Sequence, residues 1–431
     1  MGAKLKDWCP STDISLILTI GGLLLCNLSG CTPASQDTTP AQRVPALGPT
    51  SAMPPTATEH GFTTEAPLAT ALPAMTPTPQ ELLEGPVVAF TAVDANGNGY
   101  VLVVDMSRSL TRRLSWGDDI PIAVDWQSDG CGLNITLATA SGIELVTGDL
   151  EANNLRTVFV GGHRMDGSFA TWPVLAPDRK WVAYTSLSGE QGFAGSEFQN
   201  IEVIAAGNPS QPSILTANGG AWLAAWSHEG QRLAYSDDDP AGVAQLYHSN
   251  PDGSDRVQMT NFTGRGVTIG AIQWSPSDDM LAVAVYDHEE VGSLWLVSAN
   301  GITRLKAKVE GGNRITDQFW WSEDGGSLAF YTQRSHELGA RDDAIYWIDA
   351  ATGNVDHVLE AAKAPDRHIT QPFPVGDIRI VGFIGNESFF FYNAAHESFE
   401  QKEYPIELAD LTGPARVAPV RFEGEAACQS K

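Results

Sequence analysis

The chain has 431 residues, 42% of them apolar, with 42 Gly, 26 Pro and 12 Trp, so it can bury a sizeable core and is too apolar to be disordered throughout. Only 18% of residues are charged, and with so many Gly and Trp this favours short strands and tight turns over long helices. Acidic residues outnumber basic ones 52 to 26, and the resulting net charge of -26 argues against a nucleic-acid duplex or an anionic membrane surface as partner, since both need a basic footprint.

The first element is an apolar run, Ile14 to Leu25, twelve residues long. A membrane-spanning helix needs roughly 20 residues, whereas this length fits the apolar core of a secretory signal. Leu28-Ser29-Gly30-Cys31 follows and resembles the lipobox of bacterial lipoproteins. The resemblance implies a signal peptide over residues 1–30, cleavage before Cys31 and a lipid of the diacylglycerol and palmitate kind on that cysteine. Two acyl chains make a stable anchor where one is marginal. The expected location is therefore the cell membrane, on its extracytoplasmic side. Lys4 and Lys6 are offset by Asp7 and Asp13, so the leader starts barely positive, and an uncleaved anchor or core segment is the alternative. Cys9 and Cys26 leave with the leader. Cys131 and Cys428 then remain as thiols, the makings of one disulfide in an exported protein.

Residues 31–80 form a second region. Between Thr32 and Gln80, Thr, Pro and Ala supply thirty of forty-nine residues, eleven, ten and nine in turn. Nothing there offsets the entropy of ordering a chain, and the segment reads as a disordered tether. Extended Pro-rich chain rises roughly 3 Å per residue, which allows a reach on the order of 100 Å.

Residues 81–431 contain a repeat. Trp226-Ser227-His228-Glu229-Gly230, Trp274-Ser275-Pro276-Ser277-Asp278 and Trp321-Ser322-Glu323-Asp324-Gly325 are each followed by Leu-Ala three residues on. Weaker copies begin at Trp126 and Leu175, so the five anchors are spaced by 49, 51, 48 and 47 residues. Each unit continues with an apolar second strand, a polar turn, a Tyr- or Trp-bearing third strand such as Leu294 to Val297, a Gly/Asn turn and a short fourth strand such as Ile302 to Leu305. Four short strands per unit make a small antiparallel sheet that cannot bury both faces alone. Stacking such sheets radially buries them, which predicts an all-β fold, a β-propeller of four-stranded antiparallel blades. The Trp heading each unit is assigned to packing between blades.

The pattern Trp-Ser-x-(Asp/Glu)-Gly-x-x-(Leu/Ile)-Ala-(Phe/Tyr) with its Tyr/Trp third strand resembles the TolB-type propeller repeat, over roughly residues 81 to 425. At the start, Val87 to Phe90 aligns with a second strand and Tyr100 to Asp105 with a third, so the first unit lacks its opening strand. At the end, Asp377 to Ile384 and Glu387 to Tyr392 read as a last unit's second and third strands. Ala415 to Phe422 is then expected to supply the missing opening strand, closing the ring with Phe422 as counterpart of the head Trp. This counts seven blades, with six as the alternative. It also sets Cys131 and Cys428 at similar levels on adjacent blades, as a disulfide latch on the ring; two unpaired thiols are the alternative.

Motifs for chemistry are sparse. His228, His288, His336 and His396 each precede Glu but lack the second His of a zinc-protease helix, and they read as turn residues. Asp94, Asn96 and Asn98, followed by Gly99, fit the opening of a calcium loop with Asp105 at its twelfth position. The same residues suit a hairpin turn, and no cofactor is expected, with Ca²⁺ as the alternative. Asp237, Asp238 and Asp239 read as a solvated turn before Pro240. No Gly-x-Ser-x-Gly elbow or phosphate loop occurs, and no catalytic residue is assigned.

The resemblance implies a non-enzymatic binding or scaffold module, a monomer whose partners are the membrane, through its lipid, and envelope proteins or an extracellular ligand. The alternative is a lyase or hydrolase acting on a glycan or peptide in the axial channel. Titratable side chains with displaced pKa at the axis would favour the enzyme, and a mouth of Gly, Ser and apolar side chains would favour binding.

Overall fold

A computed structural model describes most of residues 82–431; short stretches within it, the longest being 189–197 and 418–427, lie outside the described residues, as does everything up to Glu81. The leader, Cys31 and the Thr/Pro/Ala-rich region therefore fall outside them. No helix among the described residues is long and apolar enough to cross a membrane.

The described strands form seven antiparallel sheets, six of them built from consecutive hairpins. Blade 1 contains β1 (Val87–Val93), β2 (Gly99–Asp105) and β3 (Leu110–Ser115). Blade 2 contains β4 (Ile120–Trp126), β5 (Gly132–Thr139), β6 (Gly142–Asp149) and β7 (Arg156–Val160). Blade 3 has an extra two-residue strand, β8 (Gly162–His163), before β9 (Phe169–Leu175), β10 (Trp181–Ser188), β11 (Phe198–Ala205) and β12 (Asn208–Ile214). Blade 4 comprises β13 (Ala224–Trp226), β14 (Leu233–Asp238), β15 (Ala244–Ser249) and β16 (Val257–Gln258). Blade 5 comprises β17 (Thr268–Trp274), β18 (Met280–Tyr286), β19 (Gly292–Ser298) and β20 (Thr303–Lys308). Blade 6 comprises β21 (Asn313–Trp321), β22 (Ser327–Arg334), β23 (Ala344–Asp349) and β24 (Val355–Glu360). Blade 7 comprises β25 (Thr370–Val375), β26 (Asp377–Ile384), β27 (Phe389–Asn393) and β28 (Ser398–Lys402).

The last strand, β29 (Arg416–Val417), returns to pair with β1, so blade 1 takes its opening strand from the C-terminal part of the chain. The ring thus has seven blades, not six. The register differs from the sequence expectation. Val417 pairs with Val88, which is the position of Leu233 opposite Trp226 and of Leu281 opposite Trp274. Val417, not Phe422, is therefore the counterpart of the head Trp.

The period-2 alternation of the second strands explains why the sheets stack. In β1, Val87 and Ala89 pack with Trp126, Leu133 and Ile135 of blade 2, while Val88, Phe90 and Ala92 pack with Phe373 and Phe389 of blade 7. In β18, Leu281 and Val283 pack toward blade 4, and Ala282 and Ala284 toward Leu328 and Phe330 of blade 6. Each face of a blade meets a different neighbour, so there is no single central core. The interior is a cyclic series of inter-blade layers, each removing apolar side chains from water at about 25 cal/mol per Å².

Candidate functional site

The opening strands stand next to one another around the ring. β9 touches β13, β13 touches β17, β17 touches β21, β25 touches β29 and β29 touches β4. These strands therefore surround the axis, and the hairpins that follow β4, β9, β13, β17 and β21 rim one axial mouth.

Five of those hairpins share one geometry. The amide of Gln127, Ala176, Ser227, Ser275 or Ser322 donates to the carbonyl five residues on, 2.8–2.9 Å away. The residue four beyond each anchor has a left-handed backbone: Gly130, Arg179, Gly230, Asp278 and Gly325, with φ between 56° and 72°. Gly fits this conformation without strain, while Arg179 and Asp278 are held in it. Both make contacts to an adjacent blade. Arg179 donates to Asp129 of blade 2 at 2.9 Å. Asp278 accepts from the amides of His228 and Glu229 at 2.8 and 3.2 Å and faces His228 Nδ1 at 2.9 Å. Burial raises the Asp278 pKa, but these hydrogen bonds outweigh it and hold the carboxyl below its ordinary value. The hairpins thus form a linked rim.

The same rim carries the covalent link. Cys131, at the end of the blade 2 hairpin, and Cys428 form a disulfide with a Cα separation of 5.3 Å. Asp129 orients the cysteine by accepting the Cys131 amide at 3.0 Å.

Below the rim, five opening strands carry a register irregularity: β4, β9, β17, β21 and β25. Bulges re-aim side chains. In β9 the irregularity includes Trp172, which has φ +47 and is 38% exposed, with Val174 beyond it 36% exposed. Gln371 of β25 occupies the matching place with the same φ. Half-buried Ile122, Ile272, Trp320 and Pro374 lie on other opening strands. The described opening strands thus present apolar and aromatic side chains such as these, together with Asp125, Thr268, Gln273, Arg314, Thr316, Thr370 and Gln371 as exposed or half-buried polar residues.

Described titratable groups with displaced pKa sit on turns, among them Asp278, Asp279 and Asp324 of the rim hairpins, or on second, third and later strands. Asp105 accepts from Glu84 N, Gly85 N, Ser107 N and Oγ, and Arg108 N at 2.6–3.2 Å. Burial pushes its pKa up, but these donors hold it below the usual range. Asp237 is fully buried and paired with Arg256 at 2.5 Å; burial nevertheless raises its pKa, and Arg256 opposes that only in part. Tyr331 is raised strongly by burial and by Asp343, to which it donates at 2.6 Å.

The calcium-loop candidates form a hairpin turn between β1 and β2. Asp94 Oδ1 accepts from the amides of Asn96 and Asn98 at 2.9 and 3.0 Å, and Oδ2 accepts from Asn98 Nδ2 and Arg113 at 3.1 and 2.9 Å. These hydrogen bonds, led by the Asn98 amide, lower the Asp94 pKa far below the ordinary value. The Asp239 turn repeats the plan, with Ala241 and Val243 amides on Oδ1. No cluster of three metal-ligating residues occurs among the described residues. His228 and His396 sit in turns, and His288 and His336 lie outside the described residues.

Sequence reasoning located the head Trp packing, because the residues recur with the repeat. It missed Trp172, since blade 3 has Leu175 at the anchor and nothing local marks the preceding bulge. It also missed the blade-to-blade links of Arg179 and Asp278, which occupy a position filled by Gly in the other copies.

No family model and no curated protein matches the chain. Solved structures with related folds do. A prolyl endopeptidase structure aligns at TM-score 0.51 and 12% identity over 77% of this chain and 50% of that one. A puromycin hydrolase S511A mutant aligns at TM-score 0.51 and 14% identity over 76% and 55%. This chain spans about half of each, and the likeness is one of fold. A putative TolB from Agrobacterium tumefaciens aligns at TM-score 0.42 and 15% identity over 65% of this chain and 91% of that one.

Proposed function

We propose that this chain is an extracytoplasmic propeller, anchored to the membrane by a lipid on Cys31, that binds an envelope protein or extracellular ligand at its axial mouth without catalysing a reaction. The observation that carries this reading is the character of the axial wall. Trp172 and Val174 offer apolar surface there, and the shifted groups of its rim, Asp278, Asp279 and Asp324, are carboxylates lowered by hydrogen bonds to hairpin donors. A strained non-Gly residue such as Trp172 is a recognised mark of functional sites. Leu28-Ser29-Gly30-Cys31 and the Pro-rich region after it support the anchor and its spacer.

Two measurements test the reading on the full-length chain. Metabolic labelling with a palmitate analogue should label the protein, and Cys31→Ser should abolish the label and release the protein from membranes. Pull-down of envelope partners should be lost in Trp172→Ser with the melting temperature unchanged. An unlabelled Cys31 sinks the anchor, and retention of every partner by Trp172→Ser sinks the axial site.

A further inference from the structure

A groove of about 520 Å³ lies at the seam between blades 6 and 7, lined by β24, the β27–β28 turn and β28. It belongs to the outer strands and is separate from the axial mouth. Its floor is an aromatic series that crosses the seam. Trp347 lies 5.4 Å from His357, His357 stacks on Tyr392 at 5.6 Å and 19°, and Tyr392 lies 4.8 Å from Phe399. His357 Nε2 and the Tyr392 hydroxyl are 2.6 Å apart, which commits the imidazole to the floor. The series ends in exposed apolar surface: Phe399 is 37% and Val355 46% exposed.

Two acidic residues, Asp356 and Glu397, are among those that line the groove. Lys363, the cation at the rim, is paired with Glu360 at 3.5 Å. Glu397 is held at φ +49, a left-handed conformation that Glu rarely adopts. Its charge reaches the floor: the Tyr392 pKa is raised by burial first and by Glu397 second.

We infer that this groove binds an arginine side chain presented by an extended segment of a protein partner. The guanidinium plane stacks on the Phe399 ring and its N–H fork meets the carboxylates, a combination that an ammonium cannot match geometrically. The charge of the lining is complementary, since Asp356 and Glu397 face one lysine, Lys363, which is itself paired with Glu360.

The test is calorimetric titration of the full-length chain with acetyl-(Gly-Arg)₃-amide and with its citrulline and lysine counterparts. Citrulline keeps the planar shape and loses the charge. The arginine peptide should bind best. Glu397→Gln and Asp356→Asn should each weaken it about tenfold, and Phe399→Leu, which keeps apolar bulk, should do the same. Asp252→Asn, an exposed blade 4 turn residue, should leave affinity unchanged. Equal binding of arginine and citrulline peptides overturns the inference. So does unchanged affinity in Glu397→Gln, or an equal loss in Asp252→Asn, which would indicate attraction to the net charge alone.

Discussion

Trp274 donates its indole N–H to the carbonyl of Ala225, 3.0 Å away and one residue before the equivalent Trp of the preceding blade. Trp226 does the same to Val174, one residue before the blade 3 anchor, at 2.9 Å. The head Trp therefore fills the inter-blade layer and also ties consecutive opening strands together. Trp321 departs from the series: its Nε1 is buried without a hydrogen-bond partner.

Trp274 is only 1% exposed, so its two contributions are separable. Trp274→Phe keeps most of the packing and strands the Ala225 carbonyl, which should cost about 1–2 kcal/mol. Trp274→Ala should cost about 3–5 kcal/mol. Urea denaturation midpoints of the two variants test this ordering. Equal losses would show that the hydrogen bond contributes nothing.

The Cys131–Cys428 disulfide spans 297 residues of sequence, so it constrains a large part of the unfolded ensemble. Cys131→Ser should lower stability by up to about 5 kcal/mol in the chain-entropy model. Non-reducing peptide mapping of the exported protein should recover the two cysteines in one cross-linked species. Alkylation of both thiols without prior reduction would reject the pairing.

Acid should destabilise the fold. Asp278 and Asp105 both have pKa values held below the ordinary carboxylate value of about 3.9. A depressed carboxylate contributes stability above its unfolded pKa and loses that contribution as pH falls through the lower folded value. Stability should therefore drop below about pH 4, and Asp278→Asn should be less stable at neutral pH with a shallower acid limb. Denaturation midpoints from pH 7 to 2 measure this; parallel curves for wild type and variant would contradict it.

Asp94 is expected to act as a turn cap. Asp94→Ala should lower the melting temperature, because the amides of Asn96 and Asn98 lose their acceptor. Millimolar calcium should leave the melting temperature of the wild-type chain unchanged. A clear upward shift on adding calcium would show that the turn opens to bind the ion.

The sequence alone determined the blade. Trp-Ser anchors spaced about four dozen residues apart, Leu-Ala second strands and Gly/Asn turns are local signals, and each survives translation along the chain. They also marked where a strand was missing, which led to the return of the C-terminal segment. The exact register did not follow, because Val417 and Phe422 are both apolar and nothing local chooses between them. The axial wall and the seam groove were decided only by tertiary structure. Trp172 stands at a bulge, and Phe399 and Glu397 of blade 7 line one groove with Asp356 of blade 6 because the two sheets are neighbours. Repetition writes the fold into sequence, whereas a site arises where copies differ and converge in space, and that convergence has no linear signature.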